Sequence, residues 1–306
     1  MLSSMAFIHS KNYFVDIGVH VFPMIKYRLV CEKLLREAGL RASDFVAPRP
    51  ASFEDLQLVH TREYLDDLRH CRWTSRTAAS ELPISEKIVE LFRLAVGGTI
   101  LACDQALQSG WAVHLSGGFH HAFADRAEGF CYLNDLAVAV RVLQSKRLTK
   151  RVAIIDCDLH QGNGTAALFQ NDASVFTFSI HQEDLYPIKE SSDLDIHLPV
   201  GTTDDAYLEH LHRAIPEIMS EFKPDFVLYQ AGADPYEGDQ LGSLELTIAG
   251  LKQRDTFVFE QCKNNKVPVA VTLGGGYAYD TEDTVRIHYN TCLAALEAYS
   301  QSAPQD

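Results

Sequence analysis

The sequence has 306 residues, of which 46% are hydrophobic and 22% charged, so its composition is that of a globular protein and excludes collagen, coiled coil and global disorder. Its 41 acidic residues outnumber its 27 basic ones, which gives a formal net charge of −14. That charge repels phosphate backbones and anionic lipids, and it argues against nucleic-acid binding and adhesion to membranes. It either favours a cationic substrate or serves only solubility.

Helices and strands are predicted to alternate along the chain. The helices place apolar residues three and four positions apart, and the strands are short, continuous apolar runs of the kind covered on both faces in a parallel sheet. In chain order the predicted elements are helix 25–38, helix 86–108, strand 111–115, helix 134–146, strand 152–155, strand 175–180, helix 205–222, strand 226–229, helix 247–264, strand 267–273 and helix 282–299. This alternation predicts an α/β fold: an open parallel sheet with helices on both faces.

The chain contains no internal repeat and no linker, so we expect a single domain over residues 1–306. Its core spans about residues 15–295, and the tail SQSAPQD is expected to fray. The seven cysteines form no CxxC pair, and the N-terminus lacks the basic and apolar regions of a signal peptide. No apolar run approaches the ~18 residues that span a bilayer. We therefore expect a cytoplasmic protein; the sequence leaves its oligomeric state open.

Four predicted strands run directly into polar or glycine-rich segments at their C-terminal ends. These segments are 116–121 (SGGFHH), 156–160 (DCDLH), Asp234 and 274–277 (GGGY). Open parallel sheets bind ligands outside the carboxyl ends of their strands. We therefore expect all four segments to border one crevice, with active-site residues at the strand ends.

The segment 156–160 has the residues of a metal site. In an extended strand, Asp156, Asp158 and His160 project to one side, where two carboxylates and an imidazole require a cation. Asp and His are ordinary zinc ligands, and a catalytic zinc usually has three protein ligands. Asp158 and His160 supply two, and Asp234 the third. The alternative, solvated loop residues and helix caps, is disfavoured because Asp234 follows a second buried strand.

Histidines and a tyrosine follow two of the other strands. His120 and His121 are natural acid–base groups near neutral pH, and Gly117 and Gly118 permit the turn that brings both to one site. Tyr277 is suited to hydrogen-bonding a substrate carbonyl and the oxyanion that develops from it. The alternatives are surface histidines and a phosphate-binding glycine loop, but no GxxxxGK[ST] motif occurs.

Together, four segments in this order resemble the zinc-dependent histone deacetylase superfamily, which includes acetylpolyamine amidohydrolases and acetoin-utilisation proteins: GGFHHAFADRAEGFCYLND, DCDLHQGNGT, AGADPYEGDQLGSLELT and LGGGY. The similarity spans roughly residues 15–295. HQGNGT (160–165) and HVFPMIKYRL (20–29) look most like the class IV, eleven-type branch and its bacterial relatives. The resemblance implies an arginase-like fold with a zinc at the strand ends.

By motif position, the resemblance implies the zinc ligands Asp158, His160 and Asp234. Fe²⁺ is an alternative in cells, because mixed Asp/His ligands select weakly between metals. The resemblance also implies a structural K⁺, held partly by backbone oxygens. Its positions are Asp156, Asp158, His160, Ser179 and Ile180.

The resemblance also assigns the catalytic roles. His121 is the general base, His120 tunes charge or assists the leaving amine, and Tyr277 polarises the carbonyl. Asp156 is the partner of His120, and Asn163 is the partner of His121. Because Asn163 is neutral where other branches carry Asp, it should raise the basicity of His121 less than a carboxylate would.

The acyl-lysine channel implied by the resemblance is lined by Gly129, Phe130, Tyr186 and Leu241, although Tyr186 stands where Phe is common. We therefore expect zinc-dependent hydrolysis of N-acyl-lysine amides on a protein or peptide, with the acyl length open. One alternative is an amidohydrolase acting on acetylpolyamines and similar acylated small amines, with weak rim candidates Glu183, Asp184 and Glu190. A second is an inactive acyl-lysine-binding module, which the intact ligands, histidine pair and tyrosine disfavour.

Overall fold

The computed structural model describes residues 7–300, and its strands form one eight-stranded parallel sheet. The strands are β1 (Phe7–Ile8), β2 (Phe45–Val46), β3 (Trp111–His114), β4 (Val152–Asp156), β5 (Val175–Gln182), β6 (Leu194–Leu198), β7 (Phe226–Gln230) and β8 (Val269–Thr272). They lie in the order β2-β1-β3-β8-β7-β4-β5-β6, and every neighbouring pair is parallel. The predicted parallel α/β sheet is confirmed.

The helices connect the strands and cover both faces of the sheet. They are α1 (Lys26–Glu37), α2 (Phe53–Leu56), α3 (Arg62–Arg69), α4 (Ser75–Ala78), α5 (Glu86–Ser109), α6 (Asp135–Ser145), α7 (Asn163–Phe169), α8 (Asp204–Glu217), α9 (Ile248–Asn264) and α10 (Thr281–Ser300). The prediction of one α-helix over 205–222 is wrong at its end, because residues 218–222 form a π-helical turn. Pro216 removes a helical hydrogen bond just before this turn.

Successive residues of the central strands point to opposite faces, and each face has its own apolar core. One face packs against α1, α8, α9 and α10 through residues such as Val113, Ile155 and Val227. The other packs against α5 and α6 through residues such as Ala112, Ile154 and Leu228. Because both faces are covered, the strands appear in the sequence as continuous apolar runs.

The elements that the sequence did not predict are short or lie at the sheet edges. Strands β1 and β2 have two residues each, and β6 (LDIHL) alternates polar and apolar residues at an edge. Of the predicted tail, Ser300 ends α10 and residues 301–306 lie outside the described part of the chain. Within residues 7–300, no helix combines the length and apolar character needed to cross a bilayer.

Arg254 of α9 is completely buried and joins two loops beneath the carboxyl edge of the sheet. Its Nη1 donates to the carbonyl oxygens of Cys157 (3.0 Å) and Gly232 (2.7 Å), which belong to the loops after β4 and β7. Its Nε donates to Oδ1 of Asp255 at 2.8 Å. That carboxylate also accepts hydrogen bonds from Tyr229 and Thr291.

Replacing Arg254 by methionine is expected to lower the free energy of unfolding by about 3–5 kcal/mol, because it leaves the Asp255 carboxylate buried without its cation. Urea denaturation followed by circular dichroism measures the change. Arg213→Met is the matched control, since Arg213 pairs with Glu209 on the exposed surface of α8. Equal urea midpoints for the two variants would contradict the prediction.

Candidate metal centre and active site

The four segments singled out by the sequence meet at one edge of the sheet. They follow β3, β8, β7 and β4, which are consecutive neighbours at its centre. Because all four strands are parallel, their carboxyl ends lie side by side. The loops after them carry the histidine pair, the glycine triplet with its tyrosine, Asp234, and the segment 156–160.

Asp158, His160 and Asp234 form a compact, buried cluster. One ligand atom from each lies within 4.8 Å of those from the other two. His160 Nδ1 is 3.4 Å from Oδ1 of Asp158 and 3.3 Å from Oδ2 of Asp234. Their exposed fractions are 2%, 7% and 1%. Three side chains with this donor set and spacing are suited to surrounding one small cation.

Turns, rather than a strand face, bring the segment 156–160 into position. Strand β4 ends at Asp156, so the expectation that Asp156, Asp158 and His160 share one face of a strand is wrong. The Oδ1 atom of Asp156 accepts from the backbone N–H of Asp158 at 3.1 Å, and Oδ1 of Asp158 accepts from that of His160 at 3.0 Å. These short-range bonds fold the chain back and separate Asp156 from the other two side chains.

The electrostatics of the cluster fit a divalent cation. Burial, followed by the charge of Asp158, raises the pKa of Asp234 above its usual range. Nδ1 of His160 lies 3.3 Å from the fully buried Oδ2 of Asp234, but within residues 7–300 this oxygen has no hydrogen-bond partner of suitable geometry. A buried carboxylate oxygen without a donor is costly unless a cation compensates it. Two carboxylates and one imidazole match the donor set of a catalytic zinc with an open coordination position.

His120 and His121 lie beside this cluster, and each has a different partner. The Nδ1 of His120 is 2.7 Å from Oδ2 of Asp156, and the Nδ1 of His121 is 2.8 Å from Oδ1 of Asn163. The two Nε2 atoms are 3.1 Å apart. Both imidazoles therefore turn Nε2 toward the same space, as the backbone turn at the preceding glycines allows.

The surroundings shift the pKa values of the two histidines in opposite directions. Burial lowers the pKa of His120, but the carboxylates of Asp156 and Asp158 outweigh it and raise the pKa to about 9. Burial, and then the charges of His120 and His160, hold the pKa of His121 well below its usual range. At neutral pH the pair thus offers one protonated imidazole and one neutral imidazole, an acid beside a base.

Tyr277 faces the same space from the loop after β8. Its backbone N–H donates to Oδ2 of Asp239 at 2.7 Å, and its ring packs edge-on against Phe130 at 5.8 Å. Burial, and then the charges of Asp234 and Asp158, raise the pKa of its phenol well above the usual range. The phenol therefore keeps its proton and can donate it in a hydrogen bond.

A narrow cavity of about 260 Å³ leads from the surface to these groups. The four channel residues expected from the sequence all line it: Gly129, Phe130, Tyr186 and Leu241. His121, His160 and Tyr277 also contribute to its wall. A wider groove of about 900 Å³ lies along α9 and α10, away from these groups. We place the site in the narrow cavity because one candidate metal ligand, His160, and one histidine of the pair, His121, line it.

The acidic residue at the channel differs from the candidates suggested by the sequence. Glu183, Asp184 and Glu190 do not line the cavity, whereas Glu81 does. Glu81 has a φ of +60°, a left-handed conformation that is uncommon for a residue other than glycine. The adjacent loop at 183–190 reaches the cavity through Leu185 and Tyr186 instead.

Beyond the histidine pair the cavity continues as a smaller inner chamber of about 30 Å³. Aromatic side chains enclose much of it: Phe22, Tyr27, Phe119, Phe130 and Tyr277. Asp158, His160 and both histidines of the pair border it as well. The candidate metal site therefore borders both the outer channel and the smaller inner chamber.

Comparison with known proteins identifies the family. The model of the histone deacetylase domain matches residues 20–292. The chain belongs to the histone deacetylase family. This confirms the family resemblance that the motifs carried. The match contains both the candidate metal cluster and the histidine pair.

Relatives of the histone deacetylase family match this chain over most of its length. It is 42% identical to an uncharacterized protein of Picosynechococcus, over 92% of this chain and 94% of that one. It is 33% identical to histone deacetylase 2 of Arabidopsis thaliana, over 90% of this chain and 75% of that one. It is 32% identical to the acetoin utilization protein AcuC of Bacillus subtilis, over 89% and 77%. The crystal structure of the HDA15 HD domain, 24% identical, superimposes with a TM-score of 0.79 over 96% of both chains, which shows the shared fold.

Three of the five residues implied as potassium ligands, Asp156, Ser179 and Ile180, lie on two neighbouring strands. Strands β4 and β5 pair so that Asp156 lies opposite Ser179, and Ile180 follows within the buried part of β5. The Ser179 hydroxyl is 2.9 Å from Nδ1 of His181. The register explains how residues 23 positions apart in sequence become neighbours.

Three residues at the site were not singled out from the sequence. Lys26 is completely buried, donates to the carbonyl oxygen of Gly275 and lies over the Tyr277 ring. Burial lowers its pKa to about 8, against the opposing effect of nearby carboxylates. Asp239 holds the backbone of Tyr277, and Glu128 accepts a hydrogen bond from Asn163. All three lie within the segments 20–29, 231–247 and 117–135 that carry the family resemblance, but their partners are distant in sequence, so no local spacing marks their contacts.

Proposed function

We propose that this chain is a zinc-dependent hydrolase of N-acyl-lysine amides. The observation that carries the proposal is the placement of three elements in one buried space: the cluster of Asp158, His160 and Asp234, the histidine pair, and the Tyr277 phenol. Membership of the histone deacetylase family supports it. The narrow channel is suited to a long, thin side chain such as acyl-lysine.

Several finer assignments are part of the same proposal. We infer Zn²⁺ at the three-residue cluster, with Fe²⁺ as the alternative in cells, and a structural K⁺ near Asp156 and Ser179. The segments HQGNGT and HVFPMIKYRL support our assignment of the chain to the class IV branch. A single catalytic domain accords with the single sheet of the described residues. All seven cysteines are free thiols, which favours a reducing, cytoplasmic compartment.

The chemistry follows from what each residue is able to hold or move. When bound by Asp158, His160 and Asp234, zinc supplies Lewis-acid polarisation of the carbonyl and a lower pKa for water. His121 accepts the proton of the attacking water at Nε2. The Tyr277 phenol donates a hydrogen bond to the substrate oxygen as negative charge develops on it.

Proton transfer to the leaving amine completes the reaction. The Nε2 of His120 is 3.1 Å from that of His121, so the pair is able to redistribute the proton taken from water. Asp156 stabilises the charged form of His120. The amide C–N bond then breaks, the lysine amine leaves with the proton, and the acyl group leaves as a carboxylate.

The inner chamber limits the acyl group. Its volume is about 30 Å³, against about 260 Å³ for the outer channel, and aromatic side chains border much of it. An acetyl or propionyl group fits this space, whereas a long fatty chain would have to displace the surrounding aromatic rings. We therefore propose short acyl groups as the preferred substrates.

A screen of acyl-lysine peptides of increasing chain length tests the function and the acyl preference together. We expect zinc-loaded protein to hydrolyse the acetyl peptide, with kcat/KM about tenfold to a hundredfold lower for myristoyl, because overpacking costs about 1–3 kcal/mol. Phe22→Ala, which enlarges the chamber, should reduce the difference in kcat/KM between the acetyl and myristoyl peptides. Saturable binding of acetyl-lysine without turnover would instead support the binding module. A preference for myristoyl would overturn the short-chain assignment.

An acylated small amine is the second candidate substrate, and one observation favours it. Glu81 lines the channel, where its carboxylate is able to attract a second ammonium group. We expect Glu81→Gln to lower kcat/KM for acetylspermidine more than for an uncharged acetyl-lysine peptide. Equal effects on the two substrates would remove the support for polyamines.

A further inference from the structure

The side-chain amide of Asn163 joins two groups that lie on opposite sides of it. Its Oδ1 is 2.8 Å from Nδ1 of His121, and its Nδ2 donates to Oε1 of Glu128 at 2.7 Å. Asn163 is 1% exposed at the start of α7, and the Glu128 side chain is 19% exposed. A short hydrogen-bonded chain therefore runs from a carboxylate, through an amide, to the imidazole proposed as the general base.

The chemistry of these groups fixes the direction of every bond in the chain. The oxygen and nitrogen of an amide have nearly the same shape, so its neighbours decide its orientation. An ionised carboxylate only accepts, so Glu128 must face Nδ2 of Asn163, and Oδ1 must then face His121. Because that oxygen only accepts, Nδ1 of His121 must carry the proton. Its Nε2 is left with the lone pair that a base needs.

We propose that Glu128 is a positioning residue: its carboxylate orients the Asn163 amide, which in turn holds His121 as the Nδ1–H tautomer. The proposal rests on the proposed function for the role of His121. It modifies the expectation from the sequence, in which the neutral Asn163 was the partner of His121 and no carboxylate followed it. A carboxylate is present after all, but it is bonded to Asn163 rather than directly to His121.

Glu128 also lies near the phenol of Tyr186 in the channel wall, where burial and then the Glu128 charge raise the pKa of that phenol. Two further contacts of Glu128 and Asn163 are weaker. Arg126 is 40% exposed, and its Nε lies 3.6 Å from Oε2 of Glu128, so solvent screens this pair. The carbonyl oxygen of Ile188 is a second acceptor for Nδ2 of Asn163, at 3.4 Å. This longer bond preserves part of the orientation when the carboxylate is lost, so the effect of removing Glu128 should be partial.

Glu128→Gln provides the kinetic test. Glutamine presents either an oxygen or a nitrogen to Asn163, so the amide is free to turn and His121 loses its fixed tautomer. We expect kcat on the acetyl-lysine peptide to fall about tenfold, the lower end of the effect of removing an outer partner, with little change in KM. Arg126→Gln is the matched control and should leave kcat nearly unchanged. Unchanged kcat in Glu128→Gln would overturn the proposal.

Asn163→Asp separates positioning from a general loss of stability. In this variant a carboxylate binds His121 directly and faces the carboxylate of Glu128, which repels it. Glu128→Gln should therefore raise kcat in the Asn163→Asp background, although it lowers kcat in the wild type. An equal fall in both backgrounds would indicate a merely structural role and overturn the proposal.

Nitrogen NMR of the zinc-loaded protein with ¹⁵N-labelled histidine tests the tautomer without turnover. We expect His121, assigned by comparison with His121→Asn, to show a protonated Nδ1 and an unprotonated Nε2, and Glu128→Gln to show mixed tautomers. Unchanged His121 signals in the variant would overturn the inference. An inactive wild type with the expected tautomer change would overturn the proposed function and leave the positioning role supported.

Discussion

Asp158→Ala is expected to lose the metal and, with it, the hydrolytic activity. The substitution removes one of the three side chains whose ligand atoms lie within 4.8 Å of one another. Loss of an outer partner of a ligand costs about 10–100-fold in metal affinity, so loss of a ligand itself should cost more. It also removes the acceptor of the His160 backbone N–H, which shapes the loop between the two ligands.

The measurement is zinc content after dialysis, together with the melting temperature with and without zinc. We expect one zinc per chain in the wild type and a small fraction in the variant. A ligand at 100 times its Kd adds about 2.7 kcal/mol of stability, so zinc should raise the melting temperature of the wild type only.

Asp156→Asn is the matched control for Asp158→Ala, because Asp156 ends the strand before the same loop but contacts His120. It should keep zinc while losing activity. Stoichiometric zinc in Asp158→Ala would contradict the ligand assignment.

The central part of the fold follows from the sequence because burial leaves a strong local pattern. The runs at 152–155 and 226–229 are continuous and apolar, since both faces of β4 and β7 are covered. The edge of the sheet leaves no such pattern. Strand β6 (Leu194–Leu198) alternates, and β1 and β2 are too short to show a period.

The sequence predicted which residues meet at the site better than it predicted how the backbone brings them together. The strand ends identify which residues meet, because parallel strands finish at one edge. The sequence does not show that β4 stops at Asp156, after which backbone-to-carboxylate bonds turn the chain. For that reason Asp156 pairs with His120 rather than joining Asp158 and His160.

Residues that act through long-range contacts were missed, although Lys26 and Glu128 lie within segments that resemble the family, because their contacts leave no local pattern. Lys26 belongs to an ordinary amphipathic helix, and only the fold brings it against the glycine loop after β8. Glu128 and Asn163 are 35 positions apart and meet only through packing of their loops. Contacts of this kind depend on the assembled sheet, so a single sequence does not reveal them.

Tyr277→Phe is expected to lower kcat by about 10²–10³-fold with little change in KM, as loss of one oxyanion donor does in other hydrolases. Phenylalanine keeps the ring that packs against Phe22 and Phe130, and the backbone bond to Asp239 does not involve the side chain. The substitution therefore removes only the hydrogen-bond donor of the phenol. Tyr279→Phe is the matched control, because Tyr279 is 83% exposed two residues further on and should retain full activity.

The separation of kcat from KM is what distinguishes the oxyanion role of Tyr277 from simple contact with substrate. A neutral carbonyl in the ground state gains little from the phenol, whereas the developing negative charge gains much more, so the loss falls on the transition state. Because burial, and then nearby carboxylates, raise the pKa of the phenol, its donor is available throughout the neutral pH range. Kinetics on the acetyl-lysine peptide, with binding of an uncleaved analogue measured by calorimetry, provide the test. Equal losses of affinity and turnover would assign Tyr277 to substrate binding instead.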